Sequence, residues 1–183
     1  MFRYLVRTLA LSLMLAFSAV AQNSDKPLDV QSSVGDLHVG KDADALKAGL
    51  PLYPGAHPKH DQNNDPLNFG ILTESFGLKL VVAKYESNDP AGKILAYYKD
   101  KMRKYGKVLE CHNTNDNSGF HSDNNDDQNR PLKCEGDNSG PVRELKVGTE
   151  GNAHMVAIES DEGDKTTTFA IVYVRSRGKS GDI

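Results

Sequence analysis

The chain has 183 residues, with 22 Lys and Arg against 25 Asp and Glu, 38% hydrophobic residues, two cysteines and no tryptophan. That composition fits one ordinary globular domain and excludes collagenous, disulfide-dense and multi-span membrane classes. A formal net charge of -3 leaves no cationic excess to neutralise a run of phosphates, which argues against nucleic acid as a partner.

Residues Met1 to Arg7 carry Arg3 and Arg7 and no acid, and an apolar run from Leu9 to Phe17 leads into Ala19-Val20-Ala21. This is the three-part plan of a secretory signal peptide, with cleavage expected after Ala21. The run is shorter than the ~20 apolar residues that span a bilayer, and Gln22, Asn23, Ser24 and Asp25 follow at once. No transmembrane segment is therefore expected in the mature chain. Cys111 is the first cysteine, so the mature N-terminus offers no thiol to a lipid anchor. Two of the 22 basic residues leave with the signal and no acid does, which takes the formal charge from -3 to -5. None of the thirteen asparagines begins an Asn-X-Ser/Thr sequon, which favours a bacterial envelope over a eukaryotic secretory route. The expected address is periplasmic or secreted.

Residues 22 to 40 are polar, with Pro27 and little apolar periodicity, and read as a flexible leader. An α+β domain is expected over 41 to 175. It opens with Asp42-Ala43-Asp44-Ala45-Leu46-Lys47-Ala48-Gly49, where an acid at the cap, good helix formers and a glycine stop predict one or two helical turns. Leu50 to Ala56 then reads as an extended piece closed by the Pro54-Gly55 turn. Asn68 to Thr73 and Leu78 to Tyr85 are β-rich and predict a hairpin, with Gly77 able to supply a positive φ in its turn. The continuous apolar run Leu80-Val81-Val82-Ala83 points to a strand covered on both faces.

After Glu86 the period changes to 3.6, with Ala91, Ile94, Leu95, Tyr98, Met102 and Tyr105 on one stripe. Asp89 is expected as N-cap, Pro90 at the first helical position and Gly106 as the stop. Lys107 to Cys111 and Val142 to Val147 read as strands, and His154 to Ile158 is expected to pair with Thr166 to Val174. Hairpin, helix, then strands in chain order predicts a mainly antiparallel sheet with one long helix packed on one face. Residues 176 to 183 are polar and read as a flexible tail.

Several of these stretches carry a resemblance. Tyr53-Pro54-Gly55-Ala56, Ala83-Lys84-Tyr85-Glu86-Ser87 with Asp89-Pro90, Lys93 to Tyr98, Met102 to Gly106, Glu144 to Glu150 and Val172 to Arg175 resemble a group of exported bacterial proteins of unknown function. The likeness runs from about Leu50 to Arg177 and rests on turns, a helix and core strands. It implies a fold and carries no activity or site residue with it.

Cys111 and Cys134 bracket one loop, and in an oxidising compartment two such thiols are most simply a disulfide. The rival is zinc held by Cys111, His112, His121 and Cys134, although the adjacent Cys-His pair lacks the usual ligand spacing. Between them, residues 113 to 129 contain ten Asn or Asp in seventeen positions. Calcium takes such oxygens, but neither Asn113/Asn115/Asn117 nor Asp123/Asn125/Asp127 has the glycine at position six and glutamate at position twelve of a calcium loop. A solvated spacer is the simpler expectation.

His57, His60 and Asp61 could ligate zinc or copper, yet Pro58 and the Asx-rich run that follows predict loop, where His-X-X-His does not align its rings. Lys93, Lys99, Lys101, Arg103 and Lys104 could present a basic helix face to anionic lipid or a cell-wall polymer of the envelope. A solvated face is the simpler expectation, with Asp100 alone relieving the like-charge crowding. An envelope polymer or a protein is the expected kind of partner. Tyr53, Tyr85, Tyr97, Tyr98 and Tyr105 are expected as core residues with hydroxyls at the rim. No nucleophile elbow, Walker loop or dinucleotide fingerprint is present, and no cofactor is expected. The reading is a non-enzymatic exported module that binds a ligand or partner. The alternative is a small secreted enzyme or metal-binding protein using residues 57 to 65 and 111 to 134.

Overall fold

Short runs of alternating apolar and polar residues become strands because successive side chains of an extended chain point to opposite faces. In the computed structural model, which describes residues 27–33, 35–40, 43–59, 66–113, 128–134, 138–159 and 166–178, nine strands form one antiparallel sheet. They are β1 (Leu28–Ser32), β2 (Gly35–Gly40), β3 (His57–Pro58), β4 (Leu67–Leu72), β5 (Gly77–Ser87), β6 (Leu109–Asn113), β7 (Val142–Thr149), β8 (Asn152–Glu159) and β9 (Thr167–Arg177). Their spatial order is β1-β2-β4-β5-β9-β8-β7-β6, with β3 also paired to β5. One α-helix, α1 (Ala91–Met102), is present among the described residues and continues into a 3-10 turn at Arg103–Tyr105. The protein is therefore mostly sheet.

The longest ladder joins β5 to β9, from Gly77 opposite Arg177 to Ser87 opposite Thr167. On one face the alternation brings Val81, Ala83 and Tyr85 of β5 beside Phe169 and Ile171 of β9, Val156 and Ile158 of β8, and Leu145 and Val147 of β7. These residues share one buried cluster with Ile94, Leu95, Tyr98 and Met102 of α1 and with Ala45, Ala48, Leu50, Tyr53 and Ala56. Each large side chain so buried contributes about 1.5–3 kcal/mol relative to exposure. The tyrosine hydroxyls satisfy backbone that the core would otherwise strand. Tyr98 Oη accepts from the Tyr53 N–H at 3.1 Å, and Tyr85 Oη accepts from the Ala45 N–H at 2.9 Å. Burial pushes both phenol pKa values up, so both rings stay neutral.

The opposite face carries the disulfide between Cys111 and Cys134. It ties β6 to the segment 128–134, which runs beside the β7–β8 turn through Pro131 paired with Thr149 and the Gly151 N–H donating to Gln128 O at 2.8 Å. Closing a loop of this separation is worth about 3 kcal/mol in the chain-entropy description.

Five expectations are corrected. Residues 28 to 40, read as leader, form the β1–β2 hairpin and extend the sheet by two strands. Its alternation, Leu28 and Val30 against Leu37 and Val39, is real but lies in a polar context. The helical turns expected over 42 to 49 reduce to a single turn at 45 to 49, capped by Asp44 Oδ1 accepting from the Lys47 N–H at 2.7 Å. Asp89 does not cap α1: Pro90 occupies the N-cap, and the Asp89 carboxylate accepts from Tyr53 Oη and Lys93 Nζ instead. Gly77 does not supply positive φ to the β4–β5 turn, which closes through Thr73 and Phe76. Ser176 and Arg177, read as the start of a flexible tail, belong to β9, and residues 179 to 183 lie outside the described residues.

Candidate functional site

The face that holds the core continues past the row Val147, His154, Tyr173 and Val81, and its chemistry changes there. The next row is Asn152, Arg175, Lys79, Gly70, His38 and Asp29, and the one after it is Arg177, Gly77, Leu72, Asp36 and Gln31. Apart from Asn152, Asp29 and Gln31, these two rows line an open groove of about 660 Å³ across β2, β4, β5 and β9, within the usual range for small-molecule sites. Its floor is low because glycine interrupts both central strands. A Cβ at Gly70 would meet nothing nearer than His38 Cβ at 3.8 Å, whereas one at Gly77 would press on Arg177 and Leu72 at 3.0–3.1 Å. Arg177 therefore lies across Gly77, and its Nη2 donates to Thr73 O at 2.9 Å.

Lys79 and Arg175 stand directly opposite each other on β5 and β9. Like charges in that position destabilise a sheet, and neither side chain has an acidic partner among the described residues. Lys79 Nζ sits 5.8 Å above the Tyr173 ring. Tyr173 stacks on His154 at 4.7 Å, and His154 stacks on Tyr105 at 3.8 Å, with Lys104 Nζ 4.7 Å beyond. This pile, with a cation at each end, fixes the border between core and groove. His154 is buried, and its Nδ1 donates to Ala48 O at 2.9 Å. Burial holds its pKa below the ordinary histidine value, opposed by that hydrogen bond and aided by Lys104. Gly49, at φ +77°, keeps the space clear, because a Cβ there would lie 2.6 Å from Tyr105 Oη.

The sequence-predicted residues are scattered. His57 lies exposed on β3 opposite Glu86, while His112 lies on β6 opposite Arg143. Five strand spacings separate β3 from β6, about 24 Å, so the two imidazoles do not meet. His60, Asp61, His121 and residues 114 to 127 of the Asx-rich loop lie outside the described residues. Among the described residues no group of three or more His, Cys, Asp or Glu is placed to hold a metal ion, and no helix is long and apolar enough to cross a membrane.

On the helix, Lys93 meets Asp89 at 2.9 Å, Lys99 meets Glu110 at 3.0 Å, and Lys101 and Arg103 meet Asp100 at 3.2 and 3.8 Å. Lys104 donates to Gly49 O at 3.1 Å. Asp100 is thus joined by Asp89 and Glu110 in relieving the basic face. Lys99 and then Arg143 hold the Glu110 carboxyl below the usual carboxylate range, and Lys93 and Tyr53 do the same for Asp89.

Sequence reasoning missed two features. One is the groove, whose only linear trace is that Lys79 shares a parity with Val81 and Arg175 with Tyr173. The other is a buried polar cluster on the opposite face. There Lys146 Nζ lies 3.1 Å from Glu144 Oε2, which also accepts from Asn113 Nδ2, and Asn113 Oδ1 has no partner among the described residues. Charged residues in a β-rich segment look like solvent-facing positions, and nothing local reveals that a second layer covers them. No family model, no curated protein and no solved structure matches this chain.

Proposed function

We propose that this chain is an exported, non-catalytic α+β module, with α1 against one face of the sheet, that binds a small ligand through an anionic group in the β2–β4–β5–β9 groove. One observation carries the reading: Lys79 and Arg175 face each other across two paired strands beside a glycine floor, and neither is ion-paired with an acid among the described residues. Such a pair costs the free protein stability, and an anion bridging the two cations offsets that cost. Arg177, held by Thr73 O at 2.9 Å, adds a third positive charge whose position is already fixed. The signal-like N-terminus and the disulfide support an address in the periplasm or outside the cell.

Titration calorimetry at low salt with inorganic phosphate and with caproate tests the proposal. The wild-type chain should bind, and Lys79→Gln with Arg175→Gln should weaken binding by more than about tenfold, since each charged hydrogen bond is worth about 1.5–3 kcal/mol. Equal affinity in the double variant, with its melting temperature retained, would overturn it.

A further inference from the structure

The groove is polarised. Lys79, Arg175 and Arg177 rise from β5 and β9 on one wall, and Asp36 rises from β2 on the other, with Gly70 and Leu72 of β4 between them. Asp36 is exposed and has no ion pair among the described residues. Beside it on β2, His38 also lines the groove, and its Nδ1 donates to the Asp29 carboxylate of β1 at 2.6 Å. Two strand spacings separate β2 from β5, about 10 Å. A compact anion can satisfy the basic wall, but it leaves Asp36 facing an unfilled floor. A pure polyanion long enough to cross the floor would meet Asp36 with like charge.

Resting on the binding reading above, we infer that the ligand of this groove is dipolar: an ω-amino carboxylate, its carboxylate between Lys79 and Arg175, its ammonium at Asp36 and its apolar chain over Gly70 against Leu72. Charge complementarity selects this class, because opposite walls of opposite sign reward a molecule whose two ends differ. The floor is suited to the methylene chain. Gly70 exposes flat main chain without a side chain above it, and Leu72, 46% exposed, offers the apolar contact. Backbone N–H and C=O groups beneath are already paired in the β4–β5 ladder, so they compete for neither end.

Calorimetry with ε-aminocaproate, γ-aminobutyrate, caproate and hexylamine tests the inference on the whole chain. The wild-type protein should bind ε-aminocaproate at least about fivefold more tightly than caproate, and the shorter γ-aminobutyrate should lose much of that gain. Asp36→Asn should erase the advantage of the amino group, so that ε-aminocaproate and caproate bind alike, while Lys79→Gln with Arg175→Gln should weaken both carboxylates. If Asp36→Asn leaves the ratio of ε-aminocaproate to caproate affinity intact, or caproate binds as tightly as ε-aminocaproate, the dipolar assignment is wrong and the anion site stands. If the basic-wall variant changes neither affinity, the groove reading itself fails. Thermal melting of each variant establishes that a lost affinity is not lost fold.

Discussion

The row Val81, Tyr173 and His154 divides one face of the sheet into two regions built from the same strands. On one side β5 and β9 present Ala83, Tyr85, Phe169 and Ile171, all buried in one cluster with residues of α1 and of the 45–56 segment. On the other the same two strands present Lys79, Arg175 and Arg177 to an open groove, and β1 beyond them is exposed along its whole length. Strand pairing is continuous through both regions, so hydrogen-bonded backbone does not distinguish them. Membership of the buried cluster does. Within it side chains are apolar and close-packed; beyond it they are free to be charged.

The strongest way to break this contrast is to remove a ring from the covered side. Phe169 is fully buried and meets Tyr53, Tyr85 and Tyr98 with ring centroids 5.6–6.4 Å apart. Phe169→Ala should cost about 3–5 kcal/mol in urea denaturation, whereas Val30→Ala on β1, at 45% exposure, should stay within about 0.5 kcal/mol. Comparable losses at both positions would show that the β1–β2 hairpin belongs to the same cooperative core.

An intermediate effect is expected at the border. His154 has a folded pKa below the ordinary histidine value of 6.5, so in the window beneath 6.5 the unfolded chain binds a proton that the folded chain does not. Stability is then full above that pH and falls as pH drops toward the depressed folded value, with a slope of at most about 1.4 kcal/mol per pH unit for one proton. His154→Phe should flatten melting temperature between pH 7 and pH 5. The lowered carboxyls of Glu110 and Asp89 act further into acid, and their contribution should persist in that variant.

The smallest effect sharpens the groove side. Relieving the Lys79–Arg175 opposition with Lys79→Gln should raise the stability of the free protein by about 0.2–1 kcal/mol, visible as a small increase in melting temperature. A loss instead would mean that the lysine's contact with the Tyr173 ring outweighs the repulsion.

Much of the scaffold was legible. The 3.6 period placed Ile94, Leu95, Tyr98 and Met102 on one stripe, and all four are buried. The hairpin joining β4 to β5 and the pairing of β8 with β9 followed from their β-rich runs, and the two cysteines are joined. Less legible were elements whose pattern was short or whose residues had a competing use. Asp89 has the right chemistry for a helix cap, yet Tyr53 Oη and Lys93 Nζ engage it. Leu28 and Val30 alternate as a strand should, but β1 needs β2 and β4 beside it before that alternation has anything to pair with.

By itself the sequence determined which residues share a face of each strand and where the amphipathic helix runs, because both periodicities are properties of local backbone geometry. Only the tertiary structure decided that β5 lies between β4 and β9, that Lys79 falls opposite Arg175 and Gly70, and that the buried cluster ends beside Tyr173. Strand order and register across long chain separations are set by which whole arrangement buries the most apolar surface. No local pattern records that choice, and the groove is one of its consequences.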